Sequence, residues 1–413
     1  MDDLTARLRP VTADEWPAFG RAMTTGFGED SSEEWLAAPP ATAELDRSLS
    51  LWDGDRVAAT AGVYSRELTV PGAVVPCAGV TWVTVSPTHR RRGVLTAIMR
   101  RQLTELHDRE REPVAALWAS EGAIYGRYGY APAAWRGGLT GRTAELAFRR
   151  DVAFGAGRVT PVPLEAYRPA AAAVHERLRR QVPGTMARTG AWWDQILEDR
   201  RDRRGGASAR RYLLHTEDDG SVTGYAAYRV RPRWDDDGMA DSTLNVEEVR
   251  AESTQAYAAL WRYLFSIDLV RTVRAPHQSP DDPLRYLLAD PRALHARPVD
   301  TLWVRLVDVG RALAARRYPT RINLVLEVRD PFCPWNDGRW ALTAHPAGGF
   351  CAPTDSDPDL VLGAEDLAAA YLGGVSLATL QAAGRVTEVS PGAVTLAATA
   401  FSWPVAPWCP DDF

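Results

Sequence analysis

Apolar and polar residues alternate along the first 150 positions in a way that predicts short strands separated by amphipathic helices. Strand patterns cover residues 49–52, 57–70, 75–85 and 114–118. Between the last two, apolar residues at 94, 95, 98, 99, 103 and 106 recur at helical spacing, which predicts a helix to about residue 107. A further helix is predicted over 14–23. Such alternation is typical of an α/β domain.

The same order of elements returns after Gly155. We predict paired strands at 212–215 and 225–230, a strand at 243–252, a helix at 255–267 and a strand at 269–273. This repeats the strand, helix and strand of residues 75–118. The turn at 251–254 contains Glu252 and would repel a pyrophosphate, so we expect the repeat to be structural.

A third region follows the proline-punctuated segment 280–298. It alternates strands at 302–308, 322–329, 340–344 and 394–400 with helices at 309–318, 364–372 and 376–383. The final eleven residues contain three prolines, which exclude regular structure, and two tryptophans and a terminal Phe favour docking of this tail. We therefore predict an α+β protein with domains at 1–150, 151–298 and 299–413.

Composition limits the possible functions. The chain has 413 residues and a net charge of −5, and all of its 48 basic residues are arginine. Nothing in this balance favours nucleic acid or an anionic membrane. The four cysteines are scattered, so neither a metal site nor a disulfide framework is expected. Without a signal peptide or a long apolar run, we predict a cytoplasmic protein.

The most informative chemistry lies between the strand ending near Val85 and the helix beginning at Val94. The connecting segment contains Arg90, Arg91 and Gly93. Unpaired amides at a helix start favour an anion, and guanidinium groups add positive charge. The segment therefore predicts a pyrophosphate-binding loop.

This loop resembles the pyrophosphate motif of GNAT acetyltransferases, although Leu95 stands where the motif has Gly or Ala. A second segment, residues 119–130 with the sequence ASEGAIYGRYGY, follows the next strand. Here we predict a short helix capped by Ser120 and ended by Gly126 and Gly129. Together, the two segments resemble the enhanced intracellular survival (Eis) family of bacterial acetyltransferases. Residues 181–184 and 276–288 fit the same pattern.

The resemblance implies a fold and a set of partners. It implies a catalytic GNAT domain that binds acetyl-CoA, a second GNAT-like domain without cofactor, and a sterol-carrier-like C-terminal domain. Members of this family acetylate several amines of aminoglycosides and assemble as hexamers. We therefore expect an amine-bearing small molecule as substrate, and a homohexamer.

The resemblance also implies roles for individual residues. Tyr125 matches the proposed general acid, and a phenol is protonated at neutral pH. Phe413 supplies the terminal carboxylate that acts as general base. The residues expected to contact acetyl-CoA are Val83, Val85, Arg90, Arg91, Gly93, Val94 and Ser120.

Other candidates concern the amine substrate. Indole faces bind ammonium groups, so Trp35 and Trp82 are candidate substrate contacts, although plain core packing explains them equally well. Glu29 belongs to an acidic stretch that either covers a polyamine or is a solvated helix face. Asp412 adds negative charge that suits a cation.

Two other functions stay open from the sequence. The same cosubstrate site with a wider acceptor groove would serve a protein or peptide lysine acetyltransferase. A non-catalytic acyl-CoA sensor or lipid carrier would use the third domain for an apolar ligand.

Overall fold

Residues 2–133 form alternating helices and strands, close to the pattern that apolar spacing predicts. The structure, a computed structural model, describes residues 2–413. The elements of this first part are α1 (Asp2–Arg7), α2 (Trp16–Phe27), α3 (Glu33–Ala37), β1 (Leu49–Asp53), β2 (Arg56–Val70), β3 (Ala73–Val85), α4 (Val94–Arg109), β4 (Val114–Trp118), α5 (Gly122–Tyr125) and β5 (Ala131–Pro132).

Residues 134–301 repeat the mixture of strands and helices. The predicted strands and the helix beginning near 255 are present, together with helices at 164–179 and 190–197 that the sequence analysis did not predict. The elements are β6 (Trp135–Arg142), β7 (Arg158–Val162), α6 (Leu164–Arg179), α7 (Gly190–Leu197), β8 (Arg211–Thr216), β9 (Val222–Arg231), β10 (Ser242–Ala251), α8 (Thr254–Phe265), β11 (Val270–Gln278), α9 (Leu284–Leu287) and β12 (His295–Asp300).

Residues 302–413 contain the remaining elements. They are β13 (Leu302–Leu306), α10 (Val309–Ala315), β14 (Ile322–Arg329), β15 (Gly338–His345), β16 (Gly348–Pro353), β17 (Leu360–Gly363), α11 (Ala364–Ala370), α12 (Leu377–Ala382), β18 (Val386–Glu388) and α13 (Ala393–Phe401). The predicted strand at 394–400 is wrong, because that segment is α13. Its buried residues 393, 394, 397, 400 and 401 follow helical spacing, which a short apolar run conceals.

The strands form three sheets, with the orders β1-β2-β3-β4-β13-β5, β12-β6-β11-β10-β9-β8-β7 and β16-β15-β14-β17-β18. Strand β13 joins the first sheet, although it follows the second sheet in sequence. It pairs antiparallel with β4 over its whole length and with β5 on its other edge. All five residues of β13 are buried, including Arg305, which forms an ion pair with Asp330.

Contacts divide the chain into two compact units. The first comprises residues 1–133, 302–404 and 412–413, and the second comprises 134–301 and 405–411. The predicted boundaries at 150 and 298 differ from this division mainly because β6 pairs in the second sheet.

In the first unit, α4 packs on the first sheet through Val94, Ala97, Ile98 and Leu103, all of which are buried. This packing fixes the start of α4 beside the end of β3. Among residues 2–413, no helix has the length and apolar character needed to cross a membrane.

Candidate active site

A cleft opens in the first sheet because β3 and β4 pair for only part of their length. Residues 77–79 of β3 pair in parallel with 114–116 of β4, and the described chain shows no pair between the two strands beyond Gly79. A bulge then alters the register of β3 against β2, and Trp82 takes a left-handed φ of 57°. The Thr60 hydroxyl donates a hydrogen bond of 2.6 Å to the Trp82 carbonyl and holds this bend. The remainder of β3 is thus left with one edge available to a ligand.

A cavity of about 590 Å³ occupies this opening. It is bounded by residues 83–85 of β3, by the loop and first turn of α4, and by residues 120–128. Of the residues predicted to bind acetyl-CoA or to donate the proton, all eight line this cavity: Val83, Val85, Arg90, Arg91, Gly93, Val94, Ser120 and Tyr125.

The loop before α4 has a backbone suited to an anion. Arg91 and Gly93 have left-handed φ angles of 60° and 81°, and Gly93 has no atom within 4 Å of the position that a Cβ would occupy. Gly93 is also the N-cap of α4, so no side chain satisfies the amides of the first turn. Arg90 donates a hydrogen bond of 3.2 Å from Nε to the Val85 carbonyl, which ties the loop to β3.

Tyr125 lies at the end of α5 on the opposite wall. Only 9% of its surface is exposed, and its ring lies 6.1 Å from that of Tyr130 in an edge-on arrangement. Its hydroxyl forms no hydrogen bond within the described part of the chain. Burial raises the pKa of Tyr125 to about 12, assisted by the nearby Tyr128 and Glu121. The phenol is therefore a proton donor over the whole physiological range.

The prediction that Ser120 caps α5 is wrong. The N-cap is Glu121, without a side-chain hydrogen bond, and Ser120 faces the cavity instead. The predicted end of this segment is confirmed, since Gly129 has a left-handed φ of 81° after a final short turn.

The two candidate tryptophans lie in an aromatic cluster beside the bulge. Trp35 and Trp82 contact Trp16 with ring centroids 5.1 and 5.7 Å apart, and Trp82 also contacts Phe19 and Tyr64 edge-on. Neither lines the cavity. This arrangement favours the core-packing interpretation for Trp82, which is 9% exposed.

The acidic candidates also lie outside the cavity. Glu29 is exposed just after α2, and Asp412 is exposed near the chain terminus.

The terminal residue lies against β2 and β3. The Arg66 guanidinium is 5.7 Å from the centre of the Phe413 ring, and a Cβ at Gly79 would approach that ring within 3.1 Å. Gly79 is the last residue of β3 that pairs with β4. Phe413 therefore lies where the two strands begin to separate, although it does not line the cavity.

Several lining residues were not predicted from the sequence. Thr84 packs so closely on α2 that a Cβ at Gly26 would lie 2.6 Å from it, and Thr96 hydrogen bonds with the Tyr128 hydroxyl at 3.2 Å. The sequence contains no local signal for the close approach of Gly26 to Thr84, because these two residues lie far apart in the chain. Tyr128 follows Tyr125 by three residues, and this spacing does predict a shared wall.

Comparisons with known proteins agree with this geometry. Acetyltransferase (GNAT) domain models match residues 7–133 and 184–306, and a sterol carrier protein domain model matches residues 309–410. The predicted α+β architecture of two GNAT-type domains followed by a sterol-carrier-like domain is thereby confirmed. The protein is an N-acetyltransferase of the GNAT class, whose cosubstrate is an acyl-coenzyme A.

Relatives define the family more narrowly. An uncharacterized N-acetyltransferase of Streptomyces avermitilis is 43% identical over 99% of this chain and 100% of its own length. The N-acetyltransferase Eis of Mycobacterium tuberculosis is 35% identical over 93% of each chain. The crystal structure of Eis1 from Mycobacterium abscessus superposes with a TM-score of 0.84 and 32% identity, covering 98% of this chain and 100% of that one. The chain belongs to the Eis family of N-acetyltransferases, which confirms the resemblance noted from its motifs.

Proposed function

We propose that this enzyme transfers the acetyl group of acetyl-CoA to amines of aminoglycosides or other polyamine small molecules. The observation that carries the proposal is the single cavity that brings the anion-binding loop, the free edge of β3 and Tyr125 together. Each of these parts supplies a different requirement of acyl transfer.

The cosubstrate fits the cavity through backbone and charge. The first-turn amides of α4 and the Arg91 guanidinium hold the pyrophosphate, and the open space beside Gly93 admits it. Val83 and Val85 present backbone groups to the acetyl-pantetheine arm as a strand edge does. Val94 and Ser120 also line the cavity.

The transfer itself is a direct displacement in a ternary complex. The substrate nitrogen attacks the thioester carbonyl, a C–N bond forms and the C–S bond breaks. Tyr125 donates a proton to the departing sulfur, and the Phe413 carboxylate accepts the proton released by the amine, directly or through water. No covalent acyl-enzyme is needed, since all four cysteines are buried and none lines the cavity.

The acceptor is a cation before it reacts, which suits the remaining candidates. The Asp412 side chain and the terminal carboxylate attract ammonium groups, and Glu29 adds to the negative potential. Trp35 and Trp82 would present indole faces to an amine entering beside the bulge.

We further propose a cytoplasmic homohexamer. The hexamer is supported by the family resemblance, and light scattering of the purified protein tests it. The four buried cysteines form no disulfide, which suits a reducing compartment.

Thiol release with acetyl-CoA and a panel of aminoglycosides, linear polyamines and lysine peptides tests the function. We expect turnover with several aminoglycosides and products that carry one or more added acetyl groups by mass spectrometry. Turnover with lysine peptides alone would identify a protein acetyltransferase instead. Binding of acetyl-CoA by calorimetry without turnover of any amine would refute the enzymatic proposal.

A further inference from the structure

The second unit contains a strand separation like that of the first. Strands β10 and β11 pair in parallel over residues 242–245 and 270–274, and the register of β10 against β9 shifts between Val246 and Glu248. Helix α8 then begins at Thr254, as α4 begins after β3. The layout of an acyl-CoA cleft is therefore present a second time.

The helix start beside this second cleft is not available to an anion. The Ser253 hydroxyl accepts a hydrogen bond of 3.1 Å from the Ala256 amide, so α8 is capped by its own chain. Glu252 in the preceding turn adds negative charge and forms an ion pair with Arg177. These features make the start of α8 less favourable for a pyrophosphate than the uncapped Gly93 turn of α4.

Trp408 of the C-terminal tail lies in this second cleft. It borders a cavity of about 320 Å³ formed by the ends of β10 and β11 and the start of α8. The guanidinium carbon of Arg250 lies 3.6 Å from the centre of the Trp408 ring. The backbone amide of Trp408 donates a hydrogen bond of 2.8 Å to the Pro183 carbonyl. Only 2% of Trp408 is exposed. Trp408 is therefore packed within the second unit.

At Gly184 the backbone lies so close to the backbone of Trp408 that only glycine fits. Gly184 has a φ of 91°, and a Cβ there would lie 2.9 Å from the Trp408 carbonyl oxygen and 3.0 Å from its nitrogen. Because these atoms belong to the backbone, the tail would have to shift to admit a side chain.

A buried ion pair fixes the tail three residues further on. Arg188 donates hydrogen bonds of 2.9 and 2.6 Å to Asp411, and both side chains are 2% exposed. The same guanidinium bonds Glu248 at 3.0 Å, and the Tyr225 hydroxyl donates to Glu248 at 2.8 Å. Burial alone would raise the pKa of Glu248, but Arg188 and Arg250 lower it to about 2. Glu248 is therefore ionised throughout the physiological range.

We propose that the second cleft is a socket for the C-terminal tail, and that Gly184, Arg188, Trp408 and Asp411 are positioning residues for the terminal carboxylate. Phe413 lies only two residues beyond Asp411, and two residues of extended chain span at most about 7 Å. Holding Asp411 thus confines Phe413. The inference rests on the proposed function, in which Phe413 accepts the proton of the amine.

The test compares two glycine substitutions with the same backbone strain. In Gly184→Ala the new Cβ meets Trp408, whereas in Gly220→Ala, at φ 86° in the turn between β8 and β9, it meets no atom within 4 Å. Asp411→Asn is a second variant that weakens the ion pair without changing side-chain size. Carboxypeptidase A, which removes C-terminal aromatic residues, measures how often Phe413 becomes accessible, and calorimetry measures acetyl-CoA binding.

We expect Gly184→Ala and Asp411→Asn to release Phe413 about tenfold faster than the Gly220→Ala control and to lower kcat about tenfold, with acetyl-CoA affinity unchanged. Deleting Phe413 should cost less kcat in the Gly184→Ala background than in the parent, because both changes act on the position of the same terminal carboxylate. Release at the control rate in folded Gly184→Ala protein, or additive losses of kcat, would overturn the proposal. The rate of Phe413 release tests whether the socket holds the tail even if no amine is acetylated. The failure of this proposal and the failure of the proposed acetyltransferase function can therefore be told apart.

Discussion

Replacing Tyr125 by Phe removes one hydroxyl from the wall of the cavity and leaves the ring in place. Because that hydroxyl forms no hydrogen bond within the described residues, its loss should change the free energy of unfolding by less than about 1 kcal/mol. The pKa of about 12 lies two units above that of a free phenol. The site therefore favours the neutral, proton-donating form by about 2.7 kcal/mol more than water does.

As a general acid, this hydroxyl should contribute at least about 100-fold to kcat, equivalent to about 2.7 kcal/mol of barrier. Thiol release at saturating acetyl-CoA measures the loss, with little change in acetyl-CoA affinity. Tyr128→Phe is the matched control, because Tyr128 lines the same cavity and its hydroxyl contacts Thr96. We expect the control to lose less than about threefold. A Tyr125→Phe enzyme within threefold of the parent, or a control that loses as much, would refute this role.

Three further outcomes are expected. Gly93→Val should weaken acetyl-CoA binding at least about tenfold, as measured by calorimetry, because it places a branched side chain in a left-handed N-cap beside the pyrophosphate. The control is Gly392→Val, at the N-cap of α13 with a φ of 87°, which should leave acetyl-CoA binding unchanged. Burial lowers the pKa of His175 to about 4, so the stability that the neutral imidazole contributes is complete above pH 6.5 and is lost as pH falls toward 4. In denaturant titrations, His175→Gln should remove about 3 kcal/mol of the pH dependence of the unfolding free energy over this range. An unaltered pH profile would contradict this expectation. Asp330→Ala should destabilise the first unit by about 3–5 kcal/mol, because the buried Arg305 loses its carboxylate partner; a loss below about 1 kcal/mol would show that water replaces it.

The sequence predicted the local parts of the site better than its long-range parts. The loop before α4 and the segment around Tyr125 were predicted because each depends on nearby residues: a helix start, left-handed glycines and a strand end. All eight predicted residues of these segments line one cavity. Their catalytic and binding roles stay predictions until the variants are measured.

What could not be predicted depends on contacts between distant segments. Trp82 matched a cation-binding residue by type, but its bulge and its packing on Trp16 follow from the register of β3 against β2. The strand predicted at 394–400 is wrong because alanine-rich apolar runs suit either element until their neighbours are known. The docking of Trp408 was expected from its aromatic character, but nothing in the tail indicated which surface receives it.

The position of β13 sets the order in which the first sheet can be completed. During synthesis, β4 emerges long before residues 302–306, and until then its outer edge has no strand to bond to. A fragment that ends near residue 150 would expose that edge and should aggregate. The outer edge of β4 therefore stays unpaired while about 180 further residues are translated. Completion of the first sheet depends on a strand that lies far beyond the motifs of the site in the sequence.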